Sequence, residues 1–238
     1  MDYQEMNGSY QAYGTAEVYE PIGRYTAKTF GWMFLGLLVT FLVAMAGYAT
    51  GAIIYVFMIP SAILVLGILE LAVVLFLSAR ITKMSVGTAR GLFLLYSLLN
   101  GVVFSAYFLI YDLVDLVIVF GATSLFFGIM AVVGYVTNAD LSRIRNFLVG
   151  GLVFLLVFWL ASMFINLGQF ETIACTLGIF IFLVFTAYDT QKIRAYHAAY
   201  SHDPVMAKKA SVFAALNLYL DFINLFLYLL RVLGKKRR

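Results

Sequence analysis

Charge is scarce in this sequence. Of 238 residues, 12% are Asp, Glu, Lys or Arg and 63% are hydrophobic, whereas soluble domains carry about 25% charged and about 45–50% apolar residues. Half the usual charge cannot dress a water-facing surface of this size, and the mean hydropathy of +0.96 excludes a soluble globular class. Cysteine is nearly absent. Cys175 stands alone inside an apolar run, so no intramolecular disulfide can form, and it reads as a small buried hydrophobe. Short alternating strands with turn signals, the mark of a transmembrane β-barrel, are missing as well. So are the Walker loop, the dinucleotide glycine fingerprint, HExxH and GxSxG, which leaves no motif for an enzyme or a bound cofactor.

Long apolar runs take their place. Met1 to about Lys28 is polar and carries Asp2, Glu5, Glu17 and Glu20. It lacks the basic start and apolar core of a signal peptide and reads as a largely disordered tail (residues 1–28). Seven segments follow, each near the ~20 residues that span a bilayer. They cover about Phe30–Tyr48, Ile53–Ser78, Gly91–Ile110, Leu116–Val136, Phe147–Asn166, Thr172–Tyr188 or somewhat further, and Ser211–Leu233. Connections such as Thr50–Ala52 and Tyr111–Asp115 are short, so successive helices are antiparallel neighbours. The expected fold is therefore all-α: one polytopic membrane bundle over residues 29–233, closed by a basic tail at 234–238. Recurrent small residues such as Gly31, Gly36, Gly121 and Gly128 serve close helix packing.

Basic residues mark one side. Arg24 and Lys28 flank the first segment; Arg80, Lys83 and Arg90 lie between the second and third. Arg143 and Arg145 separate the fourth and fifth, and Lys192, Arg194, Lys208 and Lys209 the sixth and seventh. The alternate connections hold Asp112, Asp115 and Glu171 without Lys or Arg. This pattern places the N-terminus in the cytoplasm, and the net charge of +4 belongs to membrane edges rather than to nucleic acid. The tail Lys235, Lys236, Arg237 and Arg238 conflicts with it. A seventh full span puts that tail outside; a cytoplasmic tail requires a re-entrant last segment or only six spans. Charge counting leaves both open.

Ionisable residues inside the segments point to function. Glu70 lies within the second, Asp189 ends the sixth and Asp221 is central in the seventh, where Asn217, Asp221 and Asn224 stand at i, i+4 and i+7 on one helical face. Asn100 adds a polar group in the third. Each buried carboxylate costs roughly 2.5–3.5 kcal/mol on insertion scales, so these groups must face protein, water or a partner. Asp189 and Arg80 both adjoin basic loops, and Asp221 is about 15 Å deep on the helix entering from that face. For Asp189 to meet Asp221, the sixth helix must continue toward Arg194. Two such carboxylates tend to share one proton, and Arg80 would compete for the ionised form. The functional reading is a pH-gated polar path, and the alternative is an interhelical staple. His197, His202 and Asp203 match no metal template and read as a solvated loop.

The runs LELAVVLFLSARITKMS, FTAYDTQKIRAY and NLYLDFINLFLYLLRVLG resemble the Bax inhibitor-1 family, the transmembrane Bax inhibitor motif proteins, in its bacterial branch. The resemblance spans about Gly23 to Leu233. It implies a bundle with the last helix central and six around it. It also implies a pH-sensitive calcium leak whose sensor falls on Asp189 and Asp221, with the arginine latch falling on Arg80. Asn217, Asn224, Glu70 and Asn100 are then candidate pore-lining groups. Ca2+ would be met transiently by Asp189 and Asp221, since a leak must release what it binds. The implied partners are the bilayer, Ca2+ and H+, in a plasma (inner) membrane, with monomer and oligomer both open. Three rivals stand: a proton-coupled transporter of a cation or small solute, a regulatory membrane protein acting through protein partners, and, formally, an aspartyl intramembrane protease.

Overall fold

The last helix is the best-specified element of the chain. The Asp203 carboxylate accepts from the backbone N–H groups of Val205 and Met206, and Pro204 fills the first helical position, the arrangement that spares both orphan donors and proline's missing N–H. The computed structural model describes residues 20–59 and 61–235. In chain order its helices are α1 (Ile22–Ala49), α2 (Ala52–Phe57), α3 (Ala62–Arg80), α4 (Val86–Ser105), α5 (Tyr107–Ile110), α6 (Leu113–Val136), α7 (Arg145–Ser162), α8 (Glu171–Ala199) and α9 (Pro204–Leu233), with 3₁₀ turns at Leu141–Ile144 and Gly168–Phe170. No strand occurs among the described residues.

Six of these segments are long and apolar enough to cross a membrane: α1, α4 with α5, α6, α7 with its preceding turn, α8 with its preceding turn, and α9. The nineteen-residue α3 reaches about 28 Å at 1.5 Å per residue and completes the expected seven. The second segment differs from its sequence reading. It breaks into α2 and α3 across Met58–Ser61, around Pro60, which itself lies outside the described residues. Two other boundaries move. Helix α1 starts at Ile22, so residues 22–28 of the presumed tail are helical, and α4 starts at Val86 because the Ser85 hydroxyl caps the Thr88 N–H.

Helix α9 lies at the centre, packed against α8, α1, α6 and α4, while α3 packs along α4 and α7 along α8. Its apolar window is 72% buried, against 11–39% for the other five spans. Lipid offers no hydrophobic drive between helices, so packing and interhelical hydrogen bonds hold them. Thr29 Oγ1 and Ser211 Oγ share a hydrogen bond at 2.9 Å. Thr40 Oγ1 and the Tyr219 hydroxyl share another at 2.6 Å, both joining α1 to α9. Around Tyr219 the rings of Phe93 and Tyr96 sit edge-on.

The open question of the last segment is answered by its far end. The Lys235 backbone N–H donates to Asp115 Oδ2 at 2.9 Å, while near the helix start the Lys209 ammonium donates to the Thr82 carbonyl. Helix α9 therefore runs the full length of the bundle, from the end holding the basic loops to the end holding Asp112 and Asp115. Residues 236–238 lie outside the described residues.

Candidate functional site

Helix α8 has 29 residues, about 43 Å, well beyond the ~30 Å hydrocarbon core. Its surplus extends past Arg194 at the basic end. That continuation, which a meeting of Asp189 with Asp221 requires, carries Asp189 to roughly 15 Å from the end of α8, while Asp221 lies about 25 Å from the start of α9. Helix α9 starts beyond the end of α8, so the two acids stand level on the antiparallel pair, between the Phe182–Tyr228 and Tyr196–Phe213 ring contacts. Both are buried, with 7% and 4% of their surface exposed, and Asp221 feels the charges of Asp189 and Lys192. No direct hydrogen bond joins the two carboxyl groups, and Asp221 Oδ2 is buried with no partner.

The cation beside Asp189 is Lys192. Its ammonium donates to Asp189 Oδ1 at 3.0 Å and sits over the rings of Tyr188 and Tyr196. Arg80, expected to compete for Asp189, is exposed at the C-terminal end of α3 and does not pair with it. The physical reason is local. Lys192 follows Asp189 by three residues on one helix, where side chains meet without any tertiary rearrangement, whereas α3 packs along α4. Sequence reading counted Lys192 only as a loop charge; the Asp–x–x–Lys spacing was the signal available.

Of the other candidates, Asn217 and Asn224 are half-buried. They belong to a stripe of α9 with Phe213, Leu220 and Leu227 that is less enclosed than its other faces. Asn224 donates to the Leu220 carbonyl of its own helix. Asp221 flanks this stripe on a buried face. Glu70 and Asn100 form a separate polar group. Glu70 Oε1 and Asn100 Nδ2 are buried without partners, and the Glu70 charge reaches Tyr96 and Tyr219. The structure thus brings Asp189 near Asp221 and Glu70 near Asn100, and holds Arg80 apart from the acids.

His197 departs from the solvated-loop reading. It lies within α8, is buried, contacts the Glu20 carbonyl through Nε2 at 2.6 Å and packs on the Tyr25 ring. At the opposite end, the Arg231 guanidinium lies 3.9 Å from the Trp159 ring centroid, and Trp159 Nε1 donates to the Tyr228 hydroxyl. A cavity of about 370 Å³ opens between α1, α4, α6 and α9, walled by Phe34, Phe41, Phe120 and Phe226 among others. Its lining is mostly aliphatic and aromatic and carries no carboxylate. Among the described residues no three His, Cys, Asp or Glu side chains converge as a metal cluster.

Bundle and site together define a multi-pass helical membrane protein with an ionisable group buried on its central helix. The chain belongs to the Bax inhibitor-1 family: the family model described as inhibitor of apoptosis-promoting Bax1 matches residues 23–238. It is similar to a protein of Borreliella burgdorferi, 38% identical over 90% of this chain and 93% of that one. It is also similar to the inner membrane protein YbhL of Escherichia coli K12, 36% identical over 90% and 92%, and to protein RP147 of Rickettsia prowazekii, 33% identical over 92% of each.

Proposed function

We propose that this protein is a passive cation leak, with Ca2+ as the permeant ion, gated by protonation of Asp189 and Asp221. One observation carries the reading: two buried carboxylates stand level on α8 and the central helix α9 of a membrane bundle, with one ammonium, Lys192, paired to Asp189 and its charge felt by Asp221. With both acids ionised, the three groups sum to one net negative charge; with one proton bound they sum to zero. Proton binding therefore changes the net charge that a passing cation meets, and a low-dielectric surrounding magnifies that change. Asn217 and Asn224, on the less enclosed stripe of α9, offer oxygens alongside. Two carboxylates with amide, carbonyl and water oxygens approach the six to eight ligands Ca2+ prefers without forming a cage, as release requires. Lys192 takes the counter-charge role in this conformation. The membrane is the plasma (inner) membrane, with the N-terminus and the basic loops cytoplasmic by charge asymmetry.

The test is Ca2+ flux into proteoliposomes over a pH series, comparing wild type with Asp189→Asn and Asp221→Asn. Either substitution should flatten the pH dependence. Unchanged flux and unchanged pH dependence in both would sink the gating reading, and saturable counterflow tied to a proton gradient would replace a leak with a transporter.

A further inference from the structure

The stretch of α8 that carries Asp189 has a second polar face. Gln191 Nε2 donates to the Ala139 carbonyl at 2.7 Å, and Gln191 Oε1 accepts from the Leu141 N–H at 3.0 Å. Arg194 Nη1 donates to the Tyr135 carbonyl at 2.6 Å. All three partners are backbone groups at the C-terminal end of α6 or in the connection beyond it, where no helical ladder supplies a partner. Just above them, Gly134 lies directly against the Ala187 carbonyl. Ala187, Gln191 and Arg194 are spaced i, i+4, i+7; Asp189, Lys192 and Tyr196 are spaced i, i+3, i+7. At 3.6 residues per turn these stripes lie on opposite sides of one helix.

We infer that Gln191 and Arg194 are positioning residues, a clasp on the α6–α7 connection that fixes the rotation of α8 at which Asp189 and Lys192 face Asp221. The inference rests on reading Asp189 and Asp221 as the gate, and it assigns that gate its mechanical seat. A neutral amide gives and takes a hydrogen bond at once. Leucine or methionine at 191 loses both bonds, and glutamate keeps the acceptor while setting a carboxylate against the Ala139 carbonyl. With the clasp open, α8 is free to turn, and a turn carries Asp189 away from α9. The ionisable groups facing Asp189 are Lys192 and Tyr196 on its own helix and Asp221 on α9. The clasp acts on pH dependence only through position.

The experiment compares Gln191→Met, Gln191→Glu and Arg194→Met with Ser85→Ala, which removes a helix cap on α4 away from the acids. Read-outs are thermal stability, the pH midpoint of Ca2+ flux, and the carboxyl stretch of Asp189 and Asp221 by difference infrared spectroscopy, assigned with the two Asp→Asn variants. Gln191→Met should move the midpoint by about half a unit or more, the scale set by one lost hydrogen bond, and should displace the carboxyl band. Gln191→Glu should do so by less. Ser85→Ala should lower stability alone. If Gln191→Met folds poorly, Gln191→Glu and Arg194→Met carry the same comparison. Clasp variants that lose stability with the wild-type midpoint and band would overturn the inference. Should the Asp→Asn variants leave flux untouched while Gln191→Met still displaces the band, the positioning stands and the gate reading falls.

Discussion

Replacing Gly134 by alanine is the sharpest test of how α6 seats α8. A methyl there meets the Ala187 carbonyl oxygen, carbon and Cα, backbone atoms that cannot rotate aside as a ring or a methyl can. Overpacking costs about 1–3 kcal/mol in well-packed interiors, offset by the roughly 0.5–1 kcal/mol that alanine gains over glycine within a helix. The net expectation is about 1–2 kcal/mol of destabilisation. Gly128, six residues earlier on the same helix, is the internal control, because nothing lies within 4 Å of its added methyl. Gly128→Ala keeps only the helical gain. For a protein of this size 1 kcal/mol moves Tm by about 2–4 °C. Thermal unfolding in detergent should therefore show Gly134→Ala lower by about 2–8 °C and Gly128→Ala unchanged or slightly higher. Because Ala187 precedes Asp189 by two residues, Gly134→Ala should also disturb the pH profile of flux, which Gly128→Ala should not. Equal melting temperatures for the two variants would refute the close backbone approach on which the seating of α8 depends.

Three further expectations follow from other contacts. Thr40→Val strips the Tyr219 hydroxyl of its 2.6 Å partner and leaves the Ser97 carbonyl without the Thr40 donor; a buried unsatisfied group costs about 1–3 kcal/mol, so a wild-type melting curve would contradict the geometry. Asp140, in the connection gripped by Gln191, is held below the usual carboxylate range by the Ser142 side chain, then the Ser142 backbone N–H, with Arg143 adding to them. A lowered carboxylate stabilises above its unfolded pKa and loses that contribution as pH falls through its folded one, so hydrogen-exchange protection at Ser142 should hold from neutrality down to about pH 4 and fade below; Asp140→Ala should lack it throughout, and pH-independent protection would refute the cap. In a Cys175→Ser background, Lys235→Cys should react with an impermeant thiol reagent from the side opposite Arg143→Cys, and labelling of both from one side would contradict a full-length α9.

The sequence carried the spans because a run of some 20 apolar residues has few alternatives in a bilayer, and the basic loops marked one end of the bundle because charge in short loops is countable. The path of α9 was not legible. Its tail obeys a contact, Lys235 on Asp115, that overrides a statistical charge rule at one end of one helix. The break between α2 and α3 was hidden by continuous hydrophobicity from Ile53 to Ser78, a pattern that reports burial in lipid and not helix continuity. His197 was misread for a related reason: composition placed it in a polar loop, whereas α8 extends to Ala199 and folds it against Tyr25 and Glu20.

The partner of Asp189 shows where pattern reading reaches its limit. Arg80 and Lys192 both stand at the basic end; the resemblance implies Arg80, and the i, i+3 spacing of Lys192 goes unweighed as long as Lys192 counts as a loop residue. The choice turns on whether α8 is still a helix beyond Tyr188. If it ended there, Lys192 would be a loop residue and Asp189 would need a cation from another element. Because α8 runs on, the acid and the ammonium share one rigid surface, and so do Gln191 and Arg194 on its reverse. A single helical extension therefore supplies the counter-charge, aims it at α9 and grips the α6–α7 connection from behind. The acids were visible as expensive residues, each on its own helix. What relates them is the turn-by-turn phase of α8, a property of the folded helix that residue identities reveal only once its length is known.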